Sequence, residues 1–60
     1  MKKRVKVISI PVNCNELFEE EVNAFLEKLY TSHTEKFINI TYNVRGGLLF
    51  AFIDYGVYAE

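Results

Sequence analysis

The chain has 60 residues and a mass of 7.0 kDa; half of its residues are apolar, 15% are aromatic, 25% are charged, and the formal net charge is −1. A domain of this size buries only about 60% of the surface its unfolded chain exposes, and small domains commonly lean on disulfides, a metal or a partner chain. One cysteine, Cys14, cannot close a disulfide within the chain, and one histidine, His33, does not complete a four-ligand zinc site with it, so we expect a single small domain over 1–60 without either staple.

The basic start MKKRVKVISI is interrupted by Lys6 and reaches Pro11 without a small-residue cleavage site, which argues against a secretory signal. No run approaches the roughly 18 uncharged apolar residues of a membrane span. The expected setting is therefore cytoplasmic and reducing, with no membrane partner. Cys14 is expected to be a half-buried bystander there, and the sequon Asn39-Ile40-Thr41 to be incidental. The small net charge hides segregation: Lys2, Lys3, Arg4 and Lys6 open the chain, and Glu16, Glu19, Glu20, Glu21 and Glu27 crowd the next third. That acidic segment argues against nucleic acid as a partner, because phosphate binding wants a net basic stripe.

Residues 4–12, RVKVISIPV, are rich in β-branched side chains and read as strand one; Pro11, which has no N–H, belongs at an edge or where the strand leaves the ladder. Asn13, with Glu16 three residues on, has capping-box spacing, and Asn15 is a second candidate cap. The helix then runs to about Tyr30, with Phe18, Val22, Phe25, Leu26 and Leu29 on one stripe and Glu20, Asn23 and Glu27 opposite. The bland reading of the acids is a solvated helix face. The sharper one is a partner-binding surface of Glu16, Glu20, Asn23 and Glu27. Thr31 to Lys36 reads as a polar return loop, and His33 within it as an exposed, idle side chain.

Phe37 to Val44 alternates as strand two, Gly46-Gly47 is a two-residue hairpin turn, and Leu48 to Tyr55 is strand three, with 56–58 extending it past a bulge. The phosphate-binding reading of the two glycines fails for want of the further glycines, the lysine and the following helix. With a two-residue turn, Arg45 faces Leu48. One face then pairs Val44 with Leu49, Tyr42 with Ala51, Ile40 with Ile53 and Ile38 with Tyr55, an apolar set for the helix stripe to cover. The other face pairs Asn43 with Phe50, Thr41 with Phe52 and Asn39 with Asp54, with Leu48 and Phe37 at its ends.

Strand three is apolar on both faces, as a central strand is. The expected fold is α+β, β-α-β-β: a three-stranded mixed sheet of order 1-3-2, with strands one and two parallel and one helix packed on one face. The second face lacks a covering element. At this chain length a self-complementary partner is the economical cover, so we expect a homodimer, or a multiple of dimers, joined through Phe37, Leu48, Phe50, Phe52 and Asp54. A longer strand one that curls over the rings is the competing reading. A third is a ligand site at a subunit boundary, where aromatics beside Asn43 and Arg45 take a nucleotide.

Catalysis is not expected. His33, Cys14 and Asp54 fall on three different elements without a converging acid, base or nucleophile, so no catalytic residue, metal ligand or cofactor is assigned.

The segments Lys3 to Val7, Asn23-Ala24-Phe25-Leu26, Ile38 to Val44 and Phe50 to Tyr55 together resemble a family of roughly 60-residue sporulation-associated proteins of Bacillus-type bacteria and their phages. The resemblance covers most of the chain, with the tight Gly46-Gly47 turn as a departure, and implies no biochemical activity. Its phage distribution implies a host-directed role. With the uncovered sheet face, the expected function is a small homo-oligomeric interaction protein, regulatory or inhibitory, that binds and modulates a host protein such as a defence or regulatory factor. The competing class is a non-catalytic protein that sequesters a nucleotide or nucleotide-derived signal.

Overall fold

In the computed structural model, which describes residues 1–58, the order is β1 (Lys2–Pro11), a 3-10 turn (Val12–Cys14), α1 (Asn15–Thr31), β2 (Glu35–Arg45) and β3 (Leu48–Val57). The sheet order is β1-β3-β2, and β3 is antiparallel to both neighbours, so the α+β fold expected from the sequence is the fold observed.

Gly46 and Gly47 have φ of 59° and 75°, the left-handed pair that a two-residue primed turn requires. The turn sets Arg45 against Leu48, and the pairing runs unbroken to Asn39 against Asp54. There the expected register fails. The bulge falls in β2 at Ile38 rather than in β3, and Phe37, not Ile38, faces Tyr55. An extra residue on one strand shifts the alternation by one, so Phe37 passes to the helix side of the sheet.

The start of the helix also departs from expectation. Neither Asn13 nor Asn15 caps it: the N-cap position is Cys14, without a side-chain cap bond, and Asn15 is already helical. Pro11 leads into the 3-10 turn, whose Val12 N–H donates to the Gly47 carbonyl at 3.0 Å. This ties the helix entry to the hairpin and leaves Asn13 no N–H to accept from at the helix mouth; its Oδ1 instead accepts from the Cys14 thiol at 3.6 Å. Cys14 is exposed rather than half-buried. At the other end Ser32 makes the return: its Oγ accepts from the Thr34 and Glu35 N–H groups at 3.1 and 3.0 Å.

The core lies wholly between α1 and the sheet. Ile8, Val22, Leu29, Ala51 and Ile53 are buried, with Ile10, Phe18, Phe25, Leu26, Ile40 and Tyr55 packed around them. All five residues of the predicted helix stripe take part. Phe25 meets Tyr55 edge-on at 5.3 Å, and Lys6 and Lys28 each place an ammonium 5.7 Å from its ring centre. Cation–π attraction and the apolar stems of the two lysines thus shield a ring the small core cannot enclose. Among the described residues no helix is long and apolar enough to cross a membrane.

Candidate functional site

The side chains of β3 alternate between two environments. Leu49, Ala51, Ile53 and Tyr55 point to the helix; Leu48, Phe50, Phe52 and Asp54 point to the opposite side, where the described residues provide no second layer. Of the residues expected at an interface, Leu48, Phe50, Phe52 and Asp54 therefore share one face. Phe37 does not: the bulge moves it to the helix side, where it lines a groove of about 420 Å³ with Leu26, Leu29 and Tyr30.

Phe50 and Phe52 stack, with ring centres 6.0 Å apart and planes 13° from parallel, and both remain partly exposed. The register adds residues that the hairpin arithmetic alone did not supply. β1 sets Val7 opposite Phe52, Val5 opposite Asp54 and Pro11 opposite Leu48, and Val5 and Val7 are 58% and 51% exposed. At the far end the Met1 and Ile38 side chains lie over Gly56, where a Cβ would otherwise point. β1 is two residues longer at its start than the sequence reading, but it lies flat in the sheet and widens the apolar face instead of curling over it. The alternation of residues 4–10 carried this signal: Val5, Val7 and Ser9 fall on one side, and Lys6, Ile8 and Ile10 on the other. It lacked only a register.

Polar groups border this face. Thr41 and Asn43 stand opposite Phe52 and Phe50, Asn39 stands opposite Asp54, and Arg45 lies at the hairpin end. Asn43 is turned partly back on its own strand, its Oδ1 accepting from the Val44 N–H at 2.8 Å.

The acidic set lies on the other side of the molecule. Glu16, Glu20, Asn23 and Glu27 are all exposed on the outer surface of α1, and the last three border a shallow concavity with Ala24. They share a helix face as their spacing implies, and α1 separates them from the aromatic face. Cys14 precedes the helix and His33 follows it, about 25 Å apart at 1.5 Å per residue, while Asp54 lies on the open sheet face, so the fold does not gather these three. Among the described residues no three His, Cys, Asp or Glu side chains form a group that could hold a metal ion. No protein-family model, curated protein or solved structure matches the chain.

Proposed function

We propose that the protein is a small homo-oligomeric interaction module, a phage or bacterial regulatory protein that assembles through its open sheet face and uses its acidic helix surface to bind and modulate a host protein. The observation that carries the assembly is the asymmetry of β3, a central strand with Ala51 and Ile53 fully enclosed on one side and a stacked Phe50–Phe52 pair left half-covered on the other. The occupant is a second copy. Three strands about 4.8 Å apart and about ten residues long make a plane of about 14 by 33 Å, roughly 460 Å² before side-chain relief and over half of the ~800 Å² per partner of a standard interface.

Sedimentation at micromolar concentration tests the assembly: a species larger than 7.0 kDa is expected, dissociated by Phe52→Glu, and a wild-type monomer overturns it. Charge reversal at Glu20 and Glu27 is expected to abolish capture of a host protein while leaving the assembly intact. Capture unchanged by that reversal removes the helix surface from the reading.

A second reading is favoured by one observation, the parallel Phe50 and Phe52 rings with Asn43 and Thr41 beside them, an arrangement on which a base can stack and hydrogen-bond. It makes the protein a non-catalytic binder of a nucleotide or nucleotide-derived signal at the subunit boundary. A rise in melting temperature with millimolar nucleotide is expected on this reading and not on the first.

A further inference from the structure

Among the described residues both outer strands of the sheet have a free edge, and the two edges differ. A two-residue primed turn makes its flanking residues, here Arg45 and Leu48, a hydrogen-bonded pair, and the alternation of an antiparallel ladder then directs the backbone groups of Arg45, Asn43, Thr41 and Asn39 to β3. Val44, Tyr42 and Ile40 therefore direct theirs outward, as the bond from the Val44 N–H to the Asn43 side chain requires. The same alternation on the far side of β3 turns Lys3, Val5, Val7, Ser9 and Pro11 of β1 outward. Pro11 thus sits where its missing N–H breaks no ladder bond.

The β1 edge carries the usual defences against pairing with another strand. Lys2, Lys3, Arg4 and Lys6 repel a second copy, and Pro11 blocks one end. The β2 edge is undefended over residues 37–44, which carry no charge, and Tyr42 and Val44 are 59% and 63% exposed.

We infer that the β2 edge pairs with the β2 edge of a second copy, antiparallel about a two-fold axis at Tyr42, to give a six-stranded sheet of order β1-β3-β2-β2-β3-β1. The register is chosen by the chain itself. A centre at Tyr42 sets Ile40 opposite the partner's Val44, Thr41 opposite the partner's Asn43 and Asn39 opposite the partner's Arg45, so no like charges meet. Every outward backbone group at residues 40, 42 and 44 then faces its counterpart, with Asn43 releasing the Val44 N–H. Side chains match in direction over residues 39–45 because the stretch lies wholly on one side of the bulge at Ile38, and the bulge ends the pairing there. The two Tyr42 rings meet on the helix side, each already edge-on to its own Phe18 at 6.2 Å, and form an aromatic row across the axis.

This interface is separate from the face-to-face contact proposed above and does not depend on it; with both in use the assembly is a tetramer of about 28 kDa, four times the 7.0 kDa chain. Amide hydrogen exchange tests it on the unaltered protein. The Ile40 and Tyr42 amides are expected to be protected as strongly as those of Thr41 and Asn43, while the outward amides of Val5, Val7 and Ser9 exchange freely. Free exchange at Ile40 and Tyr42 overturns the inference.

Substitution supplies the second arm. Asn39→Arg sets like charges opposite one another across the axis and is expected to halve the sedimenting mass; adding Arg45→Glu restores it, because the altered pairs attract. The two positions are too far apart within one chain to compensate each other there. A mass unchanged by Asn39→Arg, or halved and not rescued, overturns the register. A wild-type mass that Phe52→Glu leaves unaltered and Asn39→Arg halves retains the edge and removes the face-to-face contact.

Discussion

The two faces of β3 are built from alternate residues of one ten-residue strand, yet they meet different fates. Ala51 and Ile53 are fully enclosed beneath α1, while Phe50 and Phe52, larger and also apolar, are left half-covered on the other side. Hydrophobicity of the individual residue does not explain this. What decides it is that a β-α-β-β chain has one helix and can cover one face. The comparison teaches that the apolar content of this sequence exceeds what its own fold can bury, and that Phe50, Phe52, Val5 and Val7 gather part of the excess on the open face.

The most severe test of that contrast is Ile53→Ala. It empties a fully buried site and is expected to lower stability by about 2–5 kcal/mol in urea unfolding, whereas Phe52→Ala, measured on the dissociated chain, is expected to lower it by only about 1 kcal/mol despite the larger side chain. Equal losses would mean that the two faces are not energetically distinct. Gly47→Ala sharpens the contrast from another direction. At φ of 75° a Cβ is strained although nothing lies within 4 Å of it, so a loss of about 1–2 kcal/mol is expected, visible as a lower urea midpoint with an unchanged slope. A change in slope would point instead to slippage of the hairpin, since a one-residue slip exchanges the two faces. The smallest effect is expected for Gly56→Ala on the open side. The new Cβ meets only the Met1 side chain and the tip of Ile38, and Met1 can swing away, so the melting temperature should move by less than the equivalent of about 0.5 kcal/mol. A larger loss would mean that Met1 is held in place as part of that face.

Much of this was legible in the sequence. The helix stripe from Phe18 to Leu29, the Gly46-Gly47 turn and the central position of β3 follow from periodicity, from turn chemistry and from the large apolar residues on both faces of one strand. The split of Phe50 and Phe52 from Ala51 and Ile53 follows from the turn alone. Two features were not legible. A bulge costs the sequence no marker residue, so the shift at Ile38, which takes Phe37 out of the aromatic face, has no signature in Phe37-Ile38-Asn39. The capping-box spacing at Asn13 was present but unused, because the backbone before the helix is held by the bond from Val12 to Gly47, a contact between residues 35 apart in the chain.

The acidic outer surface of α1 was readable because helical spacing places Glu16, Glu20, Asn23 and Glu27 together whatever they pack against. The contribution of Val5 and Val7 to the open face was not, because the side chains of a strand are assigned to a face only once its neighbour's register is known. By itself, then, the sequence determined the elements, their order in the sheet and the existence of one uncovered apolar face, all of which rest on local periodicity and on counting layers. Only the tertiary structure decided which residues border that face and which sheet edge is left undefended, because both depend on pairing between strands distant in the chain.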